Sequence, residues 1–191
     1  FPLKINPKNS VGKRGYLFSK KLSIDLIDFC NANILNKIRY KVALLGNLYG
    51  AHSRIGSSRS AVDSIFTRVS KAALNGEKSL EFSIKKGEIR SYTFVKDLDN
   101  LIQKRVFFNQ NKYKFLFSSN EKITFDELVM TISRILGYKG KLIFRKLKAS
   151  SMVDYFENGE NVATLFPNFK YTPLEDGLGI SFESARRMGF L

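Results

Sequence analysis

Val42-Ala-Leu-Leu-Gly-Asn-Leu-Tyr-Gly50 is the stretch on which the architecture turns. Residues 39–45 are short, apolar and partly β-branched, and Gly46 stops them, so they read as a strand. The Gly- and Ser-rich residues 46–60 that follow read as a loop. Ahead of the strand, Leu22, Leu26, Phe29 and Cys30, with Ile24 and Ile27, recur at helical spacing and predict a helix over 17–33. Residues 1–15, rich in Pro, Lys, Asn and Gly, read as a loop. Behind the strand, Val62, Ile65, Phe66, Val69 and Ala73 predict a helix over 60–74, ended by Asn75-Gly76. A strand between two helices is the alternation of an α/β protein.

The rest of the chain keeps that rhythm. Residues 80–84 and 91–95 read as strands around the turn Lys85-Lys86-Gly87. Residues 96–107 read as a helix and 113–117 as a buried strand. Thr124-Phe-Asp-Glu127 fits a capping box, in which the Thr and Glu side chains satisfy the first free amides of a helix running to Gly137. Residues 142–147 read as a strand. A last helix spans 173–188, with Pro173 near its first turn. Parallel pairing is expected wherever a helix separates two strands.

Composition narrows the function. Hydrophobic residues make up 43% of the 191, too many for a disordered chain. No apolar run approaches the roughly 20 residues that span a bilayer, and no signal peptide is read, so no membrane partner is expected. The chain starts at Phe1 rather than Met, which suggests that it is incomplete at its N-terminus. Cys30 and His52 are single representatives of their types, too few for an intrachain disulfide or a His/Cys zinc site, so no metal is expected. Cys30 beside Phe29 reads as a buried structural thiol, and a thiol-poor chain without a signal is expected in the cytoplasm. The net charge of +15 invites nucleic acid as a partner. Against that, the bases are spread along the chain. The tightest group (Lys139, Lys141, Arg145, Lys146 and Lys148) alternates with Leu142, Ile143, Phe144 and Leu147, as a strand with one solvated face does.

Tyr16-Leu-Phe-Ser-Lys20 carries the first chemical signal. Four residues apart on a helix, a phenol and an ammonium share a face. A phenol with a pKa near 10 is a poor base at neutral pH, and an adjacent cation lowers that value. Such a pair can pass a proton to or from a hydroxyl while a cofactor handles the hydride. A surface Tyr and Lys near a helix start would look the same in isolation.

Tyr16-x-x-x-Lys20 is followed by the strand ending in Asn47-Leu-Tyr-Gly50, and then by Gly87-Glu-Ile-Arg-Ser-Tyr-Thr-Phe-Val-Lys-Asp97-Leu98. In order and spacing this resembles the extended short-chain dehydrogenases/reductases of the NAD-dependent epimerase/dehydratase type. Their pattern runs Tyr-x-x-x-Lys on a helix, Asn-x-Tyr-Gly at a strand end, then Gly-x-x-Arg-x-x-x-x-Val-x-Asp-Leu. Pro173-Leu-Glu-Asp-Gly177-Leu178 resembles the family's terminal Leu-x-x-Gly-Leu segment.

The resemblance implies the C-terminal part of a Rossmann-type parallel sheet, from segments 16–50 and 96–137. A small mixed α/β substrate-binding lobe would come from 51–95 and 138–191. It implies NAD or NADP as cofactor, a nucleotide-sugar substrate, hydride transfer at sugar C4, and a role in polysaccharide precursor synthesis. By this resemblance Tyr16 is the catalytic acid/base, and Lys20 holds the nicotinamide ribose and tunes the tyrosine. Asn47 and Leu48 line the nicotinamide, Asn47 and Tyr49 the sugar, and Arg90 grips the diphosphate. Val95 packs, and Asp97 caps the next helix. A homodimer through the tyrosine-bearing helix would use the stripe Leu22, Leu26 and Phe29, which an ordinary core face explains equally well.

Three departures bear on this expectation. The family's Gly-x-x-Gly-x-x-Gly turn is absent, since Gly46, Gly50 and Gly56 have another spacing. The Ser/Thr completing the family's catalytic trio would precede Phe1. Members that epimerise twice use a histidine that would align near Ala61, so 4-keto reduction, single epimerisation or dehydration fits better; His52 reads as a loop residue. The alternatives are a basic nucleic-acid-associated domain and an inactive scaffold of the same fold.

Overall fold

The computed structural model describes residues 11–33, 40–50, 60–85, 88–103, 113–147 and 161–189. The elements are α1 (Val11–Ala32), β1 (Val42–Leu45), β2 (Asn47–Tyr49), α2 (Ala61–Leu74), β3 (Ser79–Lys85), β4 (Ile89–Phe94), α3 (Val95–Gln103), β5 (Lys114–Phe117), β6 (Lys122–Thr124), α4 (Phe125–Ile135), β7 (Lys141–Leu147), α5 (Val162–Leu165) and α6 (Leu174–Arg187). The alternation is that of an α/β protein, as the periodicities predict. Residues 11–15, expected as loop, form the start of α1 instead. His52, Gly56, Gly87 and the expected helix end at 104–107 lie outside the described residues.

Strand pairing departs from local expectation. β1 runs parallel to β5, with Val42 opposite Lys114 and Leu45 opposite Phe117. β2 runs parallel to β4, with Asn47 opposite Tyr92 and Tyr49 opposite Phe94. Between them, the Gly46 amide donates to the Phe117 carbonyl at 3.0 Å. Residues 42–49 therefore form one extended stretch that changes partner at Gly46, and the expected loop begins with a strand. The strands flanking Lys85 form, but not with each other. β3 pairs in parallel with β7 along its whole length, and β4 pairs antiparallel with β6. A ladder along the whole of β3 outweighs the local turn signal.

Two cores result. The larger gathers Tyr49, Tyr92 and Phe94 from β2 and β4, Phe66 and Val69 from α2, Phe82 from β3, Leu128, Val129 and Ile132 from α4, and Leu174 and Leu178 from α6. The smaller joins Phe115 and Phe117 of β5 to Leu101 and Val162, with Ala43, Leu48 and Leu98 against them. The sequence division grouped α4 with the Rossmann-derived segment 96–137. Its buried face packs with α2, β3 and α6. The capping box at its start is present as expected: the Thr124 amide donates to Glu127 Oε2 at 2.8 Å, and the Glu127 amide returns to Thr124 Oγ1 at 3.4 Å. That bonding holds the Glu127 carboxyl below its ordinary value.

The start of α6 is tied down by side chains distant in sequence. Pro173 offers no side-chain cap. The free Leu174 amide donates instead to Glu121 Oε2 at 2.9 Å, and the Leu174 carbonyl accepts from Tyr49 Oη at 3.2 Å. Two residues earlier, the Thr172 amide and hydroxyl donate to the buried Asp97 carboxylate at 2.9 and 2.6 Å. Asp97 was expected to cap α3. It stands in the first turn of α3 but spends both oxygens on Thr172, because burial makes an unshared carboxylate costly. Val95, expected to pack, is 40% exposed, yet a Cβ on Gly50 would lie 2.4 Å from its Cγ1.

α1 stands apart. None of its described side chains is buried, and Leu22, Leu26 and Phe29 are exposed. Cys30, expected to be buried, is half-buried. The helix is attached near its C-terminus. Tyr113 Oη donates to Asp28 at 3.1 Å, and Asp28 also takes Lys114. Asn31 exchanges two hydrogen bonds with the Tyr40 backbone, at 3.0 and 3.1 Å.

Two substitutions test the α6 anchor. Asp97→Ala removes a buried, charge-assisted acceptor from two half-buried donors and should cost about 1.5–3 kcal/mol, read as a lower urea midpoint. Gly177 packs so closely on Tyr49 that a Cβ there would lie 2.2 Å from Tyr49 Oη and 3.2 Å from Phe94 Cγ. Gly177→Ala should therefore destabilise by about 1–3 kcal/mol through overpacking. A midpoint equal to wild type in either variant would show that α6 is not held at that point.

Candidate active site

Tyr16 and Lys20 lie one turn apart on α1, as their spacing predicts. Lys20 Nζ stands 5.4 Å from the centre of the Tyr16 ring. The phenol is 62% exposed, so its hydroxyl is open to an incoming reactant. Ser19 Oγ donates to the Tyr16 carbonyl at 2.8 Å, an i→i−3 bond that ties this turn together. An accessible phenol with a cation on the same helix face is the arrangement that proton transfer to a hydroxyl needs. By contrast, Tyr49 and Tyr171 are held well above the ordinary phenol range, in both cases chiefly by burial. Both therefore stay protonated near neutral pH.

The second group of expected site residues sits where residues 42–49 change partner. Asn47 and Tyr92 are registered neighbours in a parallel pair, and Arg90 precedes Tyr92 by two residues. Strand alternation therefore puts Asn47 and Arg90 on one face. On that face Tyr49, Tyr92 and Phe94 enter the larger core, while Asn47 and Arg90 remain half-buried at its edge. The Asn47 amide donates to the Ser91 carbonyl at 3.0 Å, which fixes its orientation. Arg90 pairs with the carboxylate of Glu88.

The other two residues are placed differently. Leu48 projects to the opposite face, against the smaller core. Tyr49, expected in the sugar pocket, is only 4% exposed, and its hydroxyl is spent on the Leu174 carbonyl. That expectation is corrected: Tyr49 holds α6. The structure thus brings together Tyr16 with Lys20, and Asn47 with Arg90.

Sequence reading missed Glu88, although its carboxylate stands two residues before Arg90 and so shares its strand face. It also missed Asn161, for which no local signal exists. Asn161 Nδ2 donates to the Ser118 carbonyl at 2.8 Å, and Asn161 Oδ1 accepts from Tyr171 at 3.1 Å. Ser91 and Ser118 share a hydroxyl hydrogen bond of 2.7 Å, and the Ser119 amide donates to Thr93 Oγ1 at 2.8 Å. These bonds join β4 to the end of β5 beside the site. Among the described residues no group of His, Cys, Asp and Glu side chains is placed to hold a metal ion, and no helix is long and apolar enough to cross a membrane.

Known proteins share this fold. No family model matches the chain. GDP-L-colitose synthase of Yersinia pseudotuberculosis is 24% identical over 144 residues, covering 72% of this chain and 45% of that protein. Among solved structures, a GDP-L-fucose synthetase from Naegleria fowleri bound to NADP superposes with a TM-score of 0.73 at 17% identity, over 95% of this chain and 56% of the other. A GDP-mannoheptose C4 reductase from Campylobacter jejuni with NADP bound gives 0.71 at 15% identity, over 97% and 64%. UDP-glucose 4-epimerase from Thermotoga maritima gives 0.62 at 18% identity, over 91% and 53%. The chain thus spans about half the length of the proteins it matches. It has the fold of the extended short-chain dehydrogenases/reductases of the NAD-dependent epimerase/dehydratase type.

Proposed function

We propose that this chain carries the tyrosine–lysine pair and the substrate lobe of an NAD(P)-dependent enzyme that transfers hydride at C4 of a nucleotide-linked sugar, in a reduction, an epimerisation or the first step of a dehydration. One observation carries the reading: an exposed Tyr16 with Lys20 on its helix face. It occurs in a chain similar in sequence to a GDP-sugar synthase. NAD(P), when bound, supplies or accepts the hydride. Tyr16 takes the proton from the C4 hydroxyl as its C–H hydrogen leaves, or returns it when a 4-keto group is reduced. Lys20, on the same helix face, offers donors to the nicotinamide ribose.

Asn47 lies at a strand end beside the reacting sugar. Arg90 presents a guanidinium fork suited to a diphosphate. These residues fit the nicotinamide and sugar ends of the site. The Gly-rich turn that cradles a dinucleotide pyrophosphate is not among the 191 residues. In this reading β1, β5 and α1 belong to the nucleotide-binding layer, and the larger core is the substrate lobe. The exposed Leu22, Leu26 and Phe29 support pairing of α1 with a second copy. A cytoplasmic place in making polysaccharide precursors fits a nucleotide-sugar substrate.

In an active enzyme containing this chain, Tyr16→Phe should lower kcat by roughly 10²–10⁴ without unfolding it, the range of acid–base catalysis. Activity within threefold of wild type would remove Tyr16 from the mechanism. The chain by itself should bind NADH and NADPH no tighter than about 1 mM, near −4 kcal/mol, because no Gly-rich turn meets the pyrophosphate. Fluorescence titration measures this directly, and micromolar binding would mean that a cofactor site lies within these residues.

A further inference from the structure

We infer that Glu88 is a built-in competitor for Arg90, which the substrate diphosphate must displace, and that it sets both affinity and selectivity for nucleoside diphosphates. The inference rests on the reading of Arg90 as the diphosphate-binding residue and goes beyond it. Glu88 immediately precedes β4, two residues before Arg90, so both side chains project to the same face. That face is buried at Tyr92 and Phe94 and emerges from the core at this pair. The side chains retain 30% exposure for Arg90 and 15% for Glu88. They are neither a freely solvated surface pair nor locked in the interior, so the pair is partly desolvated and still within reach of a soluble anion.

The backbone beneath the pair is held by strand and side-chain hydrogen bonds that do not involve the guanidinium. Arg90 is registered opposite Ile123 in the antiparallel pair with β6, and the next residue, Ser91, holds the Asn47 amide through its carbonyl. An incoming diphosphate therefore changes the partner of the guanidinium without disturbing the strand. The chemistry of the exchange is one anion for another. A carboxylate carries one negative charge, whereas a diphosphate offers several oxygens in the geometry that an Arg fork takes bidentately.

The surplus of positive charge gives the competitor a purpose. With 32 basic residues against 17 acidic, the chain attracts any phosphate, and an unoccupied guanidinium in the site would hold monoanions indiscriminately. A tethered carboxylate is a repulsive element against weak anions, the device by which binding sites gain specificity at the expense of affinity. When only a fraction of the molecules have Arg90 free, the observed dissociation constant is the intrinsic one divided by that fraction.

The test is calorimetric titration of the 191-residue chain and its variants with GDP and UDP, and with guanosine and uridine as uncharged controls. Glu88→Gln should tighten the better-bound nucleoside diphosphate by about 5- to 20-fold and leave the corresponding nucleoside unchanged. Glu88→Asp should stay within about threefold of wild type, because it keeps the competing charge. In an Arg90→Ala background Glu88→Gln should have no effect on the diphosphate, since nothing remains to compete for. Unchanged or weaker diphosphate binding by Glu88→Gln, with Arg90→Ala still lowering affinity, would overturn the competitor while leaving Arg90 as the diphosphate residue. Equal tightening of diphosphate and nucleoside would also overturn it, as a general change in the lobe. Absence of diphosphate binding, or binding insensitive to Arg90→Ala, would remove the reading of Arg90 and the competitor with it.

Discussion

The buried anchor at the start of α6 is the constraint on which the larger core depends. Asp97 takes both donors of Thr172, Glu121 takes the Leu174 amide, and Tyr49 Oη donates a hydrogen bond to the Leu174 carbonyl. These ties come from α3, from the segment joining β5 to β6, and from β2. Three segments widely separated in the chain are thereby pinned to one helix terminus. A helix start without a side-chain cap would otherwise bury unsatisfied amides. Once it is pinned, Leu174 and Leu178 close the core over Tyr49 and Phe94, and Gly177 admits the Tyr49 hydroxyl at a distance no larger residue allows.

The same anchor explains how the site is divided between two faces. Strand alternation sends Tyr49, Tyr92 and Phe94 into the larger core and leaves Asn47 and Arg90 at its edge. Leu48 goes to the smaller core, with Phe117 and Leu98. Because Tyr49 is spent on the fold, the polar side chains left at this edge are Asn47 and the Glu88–Arg90 pair. The partner change at Gly46 makes this possible: one extended stretch serves two ladders and carries Asn47 from one layer to the next.

The high positive charge finds a bland account in much of the structure. Along β7 the basic side chains Lys141 and Arg145 alternate with half-buried Leu142 and Phe144, the pattern of an edge strand with a solvated face. Arg145 pairs with Glu81, and Arg134 takes Glu175 bidentately at 2.6 and 2.9 Å between α4 and α6. That pairing holds the Glu175 carboxyl below its ordinary value. These bases serve the surface of the fold.

What the sequence determined by itself was whatever local chemistry specifies. The helices of α2, α4 and α6 follow from apolar spacing and from the Thr124–Glu127 capping box, and the Tyr16–Lys20 pair from a spacing of one helical turn. The order of short patterns from Tyr16 to Gly177 was enough to indicate the fold. Only the tertiary structure decided which strands pair, because ladder partners are chosen by packing between distant segments: β3 took β7 rather than its neighbour β4, and Asn47–Tyr49 became a strand against β4. It alone gave Asp97 to Thr172, turned Tyr49 inward, and left α1 with its apolar stripe exposed. The physical reason is common to all of these: a residue's propensity is local, whereas burial and the partner of a buried polar group depend on what the rest of the chain brings to it.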